Sequence, residues 1–216
     1  MPSASHIGRE HVRLGRNNQD GHFATSSVVV VTDGCSSQPN SEVGAQLGAR
    51  FLGEWLSAQI SLDDGTAERA MNALCEWMKS SAVSLGGIDA LEKYFLFTVL
   101  AAVRRGDRTL VFGMGDGGVL VDDRLVRLDS GPDNAPPYCA YRLTSSEPPP
   151  VEVHHFAAAG RVAVMTDGLN ALDPLRLRAL IREVDPARNP LTLQRRLNVL
   201  SETERFGDDA TLAVLC

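Results

Sequence analysis

The tripeptide Thr-Asp-Gly occurs twice, at Thr32-Asp33-Gly34 and Thr166-Asp167-Gly168, each time closing an apolar run, VVVV in the first case and VAVM in the second. A run that stops on Asp-Gly sets a carboxylate at the rim of a core, because glycine lets the backbone turn sharply. A carboxylate there is costly unless it is hydrogen-bonded or coordinates a cation. One such aspartate is ordinarily a turn residue. This chain repeats the feature at Asn18-Gln19-Asp20-Gly21, Gly115-Asp116-Gly117 and Gly207-Asp208-Asp209. If these corners meet at one edge of a sheet sandwich, they form a ring of oxygen donors. Hard cations such as Mg²⁺ and Mn²⁺ take carboxylates, backbone carbonyls and water. Two such ions about 4 Å apart activate a water and stabilise a phosphoryl group in displacement.

The surrounding pattern predicts the elements that carry these corners. Val28–Val31 reads as a buried strand. Asn40-Ser41-Glu42 starts a helix whose apolar stripe would be Val43, Leu47, Phe51, Leu52 and Trp55. Asp63-Asp64-Gly65-Thr66 ends it and begins a second, with Ala67, Ala70, Met71, Leu74, Trp77 and Met78 facing inward; Trp55 and Trp77 are expected in the core. Tyr94–Val103, Thr109–Phe112, Val119–Val121 and Leu125–Leu128 read as one meander of antiparallel strands with tight turns. Ser130–Pro150, rich in Pro, Ser, Gly and Asn, reads as a long loop. Arg161–Met165 is a further strand, Leu175–Ile181 and Leu191–Leu200 are helical, and Ala210–Leu215 is a closing strand. Strand, helices, strands, helices and strand in that order favour α+β layers over a βαβ alternation.

With 216 residues, 44% of them hydrophobic, residues 1–216 are expected to form one domain with a sizeable core. Lys plus Arg number 21 against 27 Asp plus Glu, and no run of basic residues stands out, so no nucleic-acid partner is expected. Cys35, Cys75, Cys139 and Cys216 are scattered without a CxxC pair, which argues against a zinc site or a disulfide framework. No apolar stretch approaches the roughly 20 residues of a membrane span, and the first residues lack the apolar segment of a secretion signal. A reduced, cytoplasmic, soluble protein without a membrane partner is the expectation.

Taken together, NNQDG, VVVVTDGCSS followed by SEVGAQLGA, VFGMGDGGVL, VAVMTDGLNAL and GDDATLAVL span Asn17 to Leu215. In this order they resemble the metal-dependent serine/threonine protein phosphatases of the 2C (PPM) type. HIGREHVRLGRNNQD looks most like a compact subgroup common in bacteria. The resemblance implies an α+β, four-layer α-β-β-α sandwich: two antiparallel sheets flanked by helices, with a dinuclear Mn²⁺ or Mg²⁺ centre at one end. It further implies that Asp33 bridges both metals and Gly34 offers its carbonyl to one. Asp167 and Asp208 would hold the other metal, Asp20 would orient the attacking water, and Asp116 would mark a third, weaker metal position. Asp20 and Asp33 are thus the catalytic candidates. The substrate class would be phosphoserine or phosphothreonine in proteins, with a serine/threonine kinase as the opposing partner.

Three departures accompany the likeness. Gly15 stands where the family often carries a phosphate-gripping Arg, leaving Arg13 or Arg16 as candidate substitutes. Cys35 replaces a His found in some members, and is expected to be a small packing residue. Gly115-Asp116-Gly117-Gly118 replaces the common Gly-Asp-Ser-Arg. His11 reads first as a hydrogen-bonded histidine of an N-terminal turn and second as a substrate contact. In Asp208-Asp209 successive side chains of an extended chain would face opposite ways, and the resemblance assigns the ligand to the first residue and a local turn-stabilising role to the second. Two rival readings stay open: a non-catalytic module of this fold that binds a kinase or phosphoprotein, and a phosphohydrolase of small molecules.

Overall fold

The computed structural model describes residues 3–131, 135–182, 189 and 191–215. Ten strands make two five-stranded antiparallel sheets. The first is ordered β1 (Ser3–His6), β10 (Ala210–Leu215), β9 (Val162–Met165), β6 (Gly117–Val121), β7 (Arg124–Leu128); the second β2 (Asp20–Ala24), β3 (Val28–Gly34), β4 (Phe97–Arg105), β5 (Arg108–Met114), β8 (Glu152–Ala157). Valines fill β3 without alternation because both of its faces are covered. Val29 and Val31, with Leu100, Ala102 and Val111, meet Val119, Val162, Val164, Ala213 and Leu215 of the other sheet. Val28 and Val30 face outward into a second cluster with α2 (Ser41–Ser57) and α3 (Thr66–Ser84). On the far side, α6 (Pro174–Ile181) and α7 (Thr192–Glu204) cover β9 and β10 through Leu177, Leu180, Leu193 and Leu197. The layers are therefore helix, sheet, sheet, helix, as expected. Three short α-helices, α1 (Arg9–Leu14), α4 (Asp89–Tyr94) and α5 (Tyr141–Thr144), and a 3₁₀ turn over Asp167–Leu169 complete the described chain.

The structure corrects several of the expected elements. The inward face of α2 is Ala45, Ala49, Leu52 and Leu56, whereas Val43 and Leu47 are exposed. The helix lies too close to its neighbours for large side chains: a Cβ on Gly44 would meet the Tyr94 carbonyl oxygen at 1.7 Å, and one on Gly48 the Phe97 ring at 2.7 Å. Trp55 and Trp77 are partly buried against the same cluster. The expected single meander is split. Strands β4 and β5 pair in one sheet, and β6 and β7 pair in the other. The chain crosses between the sheets at Gly115-Asp116, with Gly115 at φ +104° and Gly117 at +115°, values that demand glycine. The Ser130–Pro150 loop holds α5, and residues 132–134 of it, like Cys216, lie outside the described residues. Strands β1 and β2 and helix α1 were not anticipated. Among the described residues no helix is long and apolar enough to cross a membrane.

Candidate metal centre

The five acidic corners come to one end of the sandwich. In the second sheet, Asp20 opens β2 directly opposite Asp33 near the end of β3. In the first, Met165 pairs with both Leu212 and Gly118, so the end of β9 and the starts of β10 and β6 share an edge. Asp167, Asp208 and Asp116 sit just beyond those strand ends. Asp33, Gly34, Asp116, Asp167 and Asp208 line one cleft, together with Cys35, Thr98 and Tyr138. Its volume is about 50 Å³. That is room for ions and a few water molecules.

The two Thr-Asp-Gly corners are fixed differently. Thr32 donates its hydroxyl to the Ala45 carbonyl at 2.8 Å, tying the first corner to α2. Thr166 donates to Asp20 Oδ2 at 2.9 Å and so links the two sheets, while its own hydroxyl accepts the Thr211 N–H at 3.0 Å. A Cβ on Gly168 would meet the Asp209 carbonyl oxygen at 2.0 Å, so only glycine lets the second corner pack against the entrance to β10. Neither threonine contact was foreseen, although the repetition of Thr in both corners was the available signal.

Clustering raises the carboxyl pKa values. Burial, then the charges of Asp20, Asp167 and Asp208, pushes Asp33 well above the ordinary range. Burial raises Asp20 in the same way, against hydrogen bonds from Thr211 and Thr166 and with help from the charges of Asp209 and Asp208. Asp167 is pushed up to about 6, first by burial and then by the charge of Asp116. Asp116 is raised by burial, opposed by the Ser130 hydroxyl that donates to it at 2.7 Å. Asp20 Oδ1 and Asp167 Oδ1 are buried with no partner among the described residues. A cluster of carboxylates with orphaned oxygens and no lysine or arginine in the cleft lining fits hard divalent cations.

Asp208 and Asp209, just ahead of β10, face different surroundings. Asp208 lines the cleft and is half exposed. Asp209 is buried, accepting the Gly8 N–H at 2.7 Å on Oδ1 and the Gln19 N–H at 2.5 Å on Oδ2, with His11 Nδ1 2.9 Å from Oδ2. Its partners are thus nearly the whole chain length away in sequence, a correction to the local role expected of it. His11, Asp208 and Asp209 could each bring one donor atom within 4.8 Å of the others. Both oxygens of Asp209 are already occupied by backbone N–H groups, however, so Asp209 acts as a hydrogen-bonded tie to the N-terminal segment, and the trio is not a cation cage. His11, on α1, sets its buried Nδ1 against Asp209 Oδ2 without hydrogen-bond geometry.

Arg13 and Arg16 part company. Arg13 is exposed and pairs with Glu10 at 2.6 Å. Arg16 donates to the Ser36 carbonyl and lines a groove with Glu10, His11, Leu14, Ser36 and Asp208. Ser36 and Asp208 also line the cleft, so the groove leads into it. Gly15 ends α1 at φ +66°, a left-handed position where arginine would be strained. Cys35 packs partly against the α2–α3 cluster and also lines the cleft, with its sulfur 3.1 Å from Ser37 Oγ. Tyr138, from the Ser130–Pro150 loop, lies beside it, and burial, with the Cys35 thiol next, keeps its phenol protonated.

Solved structures share this fold at low identity. A serine/threonine phosphatase of S. agalactiae superposes with a TM-score of 0.68 at 16% identity, covering 99% of this chain and 98% of that one. PppA of Pseudomonas aeruginosa, described as a key regulatory component of T6SS, gives 0.61 at 17%, covering 99% and 95%. The catalytic domain of the serine/threonine protein phosphatase PstP, solved with 2 manganese ions, gives 0.62 at 16%, covering 99% and 97%. No curated protein sequence matches the chain. The family profile described as Protein phosphatase 2C matches residues 7–204. With nearly the whole chain matched and the same sandwich in its structural relatives, this chain belongs to the protein phosphatase 2C family.

Proposed function

We propose that the chain is a phosphoprotein phosphatase that hydrolyses phosphoserine or phosphothreonine with two Mn²⁺ or Mg²⁺ ions held in the carboxylate cleft. One observation carries the reading: Asp33, Asp116, Asp167 and Asp208 converge from two sheets on a cleft whose described lining offers no lysine or arginine. Asp33 would serve both ions, with the Gly34 carbonyl at one and Asp167 and Asp208 at the other, and Asp116 would hold a third, weaker position. The bound ions would polarise the phosphoryl group and lower the pKa of water. Asp20, held through Oδ2 by Thr166 and with Oδ1 unpartnered among the described residues, would orient the attacking water. Arg16, at the mouth of the adjoining groove, would take the substrate phosphate, while Arg13 stays with Glu10. Tyr138 offers a neutral phenol donor to the same cleft. A phosphoprotein partner and an opposing serine/threonine kinase follow from that substrate class.

The glycine fixed at position 15 favours the rival reading of a non-catalytic binding module, since no arginine can occupy that place without strain. Phosphate release from a phosphopeptide and from an aryl phosphate, each with Mn²⁺, Mg²⁺ or EDTA, separates the two. Metal-dependent turnover of the phosphopeptide is expected. Absence of turnover in every metal would leave the binding module, and turnover of the aryl phosphate alone would point to small-molecule substrates.

A further inference from the structure

Asp33-Gly34-Cys35 offers three different donors in a row: a carboxylate, a backbone carbonyl and a thiol. The chain stays extended through all three. Asp33 and Gly34 close β3, and the Cys35 N–H still donates to the Leu96 carbonyl at 2.9 Å, one step past the strand's end. Side chains two apart on an extended chain share a face. Cys35 accordingly stands on the Asp33 side, and both line the carboxylate cleft. Two residues at about 3.3 Å each separate their Cα atoms by about 6.6 Å. Two converging side chains at that spacing can meet at one ion, whose bonds are about 2.3 Å to sulfur and about 2.0–2.2 Å to oxygen.

Around the sulfur stand the Ser37 hydroxyl, at 3.1 Å, and the Tyr138 phenol. Both are neutral, and thiols hydrogen-bond weakly, so a metal bond displaces little. No lysine or arginine lines the cleft, so no ion pair has to break. Cys75 and Cys139, by contrast, are buried in the α2–α3 cluster away from the cleft lining. A second observation, independent of the sulfur, points to a cation in this place. Oδ1 of Asp20 and Oδ1 of Asp167 are buried with no partner among the described residues, and Asp20 is 4% exposed and paired in register with Asp33. Carboxylates and carbonyls alone suit Mg²⁺ and Mn²⁺, whereas a thiolate among them adds affinity for softer ions. The scattered cysteines argued against a zinc site built from cysteine pairs; one thiol joined to carboxylates is a mixed site of another kind.

We propose that Cys35 is a ligand of the cleft for thiophilic divalent ions, sharing one ion with Asp33, so that Zn²⁺ and Co²⁺ gain a donor that Mn²⁺ does not use. The inference rests on the reading of the cleft as a metal centre. As the metal–sulfur bond forms, the thiol releases its proton to solvent. Cobalt reports the bond directly: a Co²⁺–thiolate pair absorbs in the near ultraviolet by sulfur-to-metal charge transfer, and Co²⁺ with oxygen ligands alone does not. The whole chain is titrated with Co²⁺ without added thiol, and calorimetry gives Mn²⁺, Co²⁺ and Zn²⁺ affinities for wild type, Cys35→Ser and Asp33→Asn. The band is expected in wild type and absent in Cys35→Ser. Zn²⁺ affinity should fall at least about tenfold in Cys35→Ser, with Mn²⁺ affinity within about twofold of wild type. Asp33→Asn should weaken all three ions. Co²⁺ that binds without the band, a band that persists in Cys35→Ser, or equal losses of Zn²⁺ and Mn²⁺ affinity there would overturn the inference and leave the metal centre standing. A band and Co²⁺ affinity unchanged in Asp33→Asn would overturn it as well, by placing the thiol's ion outside the cleft. Failure of wild type to bind Mn²⁺ would remove the metal centre, and the inference with it.

Discussion

Replacing Asp209 with Asn tests whether a single carboxylate ties the N-terminal segment to the start of β10. Asp209 receives two backbone N–H groups, one on each oxygen, and His11 lies against the second oxygen. An Asn side chain has one acceptor and one donor, so in either orientation its NH₂ faces one of those N–H groups. An unsatisfied buried donor costs about 1–3 kcal/mol, and the remaining bond falls from charge-assisted to neutral, about 1 kcal/mol more. Relief of the repulsion between Asp209 and Asp20 offsets only part of this, because the carboxylate is compensated by its donors. The net loss is about 2–4 kcal/mol, or roughly 5–15 °C in Tm for a chain of this length. Thermal unfolding followed by circular dichroism in EDTA measures it. Asp208→Asn is the control: that side chain is half exposed and accepts only a local bond from the Asp209 N–H at 2.8 Å, so its Tm should stay within about 2 °C of wild type. Equal Tm for Asp209→Asn and wild type, or an equal loss in Asp208→Asn, would refute the reasoning.

Asp33→Asn and Asp167→Asn should each abolish Mn²⁺-dependent turnover, yet unfold in EDTA at or above the wild-type temperature, since each removes a charge that its neighbours oppose; a lower Tm in EDTA would show that these carboxylates hold the metal-free fold together. The pH dependence has a definite sign. Asp167 has a folded pKa of about 6, above its unfolded value, so its ionisation disfavours folding: in EDTA, stability should rise as pH falls from about 7 toward 5, while Mn²⁺ affinity falls over the same window. Unfolding in a pH series with and without Mn²⁺ reads both, and a flat profile in EDTA would contradict the clustering. Arg16→Ala should raise KM for a phosphopeptide with a smaller effect on kcat, and Arg13→Ala should leave both near wild type; the reverse ranking would exchange their roles.

Local chemistry fixed what could be read from the chain alone. An apolar run, a carboxylate and a glycine make a strand end with an acidic rim wherever they occur, so Asp33 and Asp167 were marked before any fold was known. Alternation along an extended chain predicted that Asp208 and Asp209 diverge, the family resemblance chose Asp208 as the ligand, and the structure sets the first in the cleft and the second away from it. Hydrophobic pattern also predicted most strands and the long helices. It failed where packing distance or chain direction decides. The face of α2 was misjudged because glycine and alanine carry little hydrophobic signal, yet they alone permit a helix to approach this closely. Strands β5 and β6 read as a hairpin because a tight turn and a crossover use the same glycines; only the competition between sheets for β6 determines which forms. Arg13 and Arg16 are equivalent in sequence and are separated by the course of α1, which turns one toward Glu10 and the other into the groove. The ties that hold the site, Thr166 to Asp20 and Asp209 to Gly8 and Gln19, join residues 146, 201 and 190 positions apart. No local pattern encodes them, because their partners exist only once the two sheets have closed on each other.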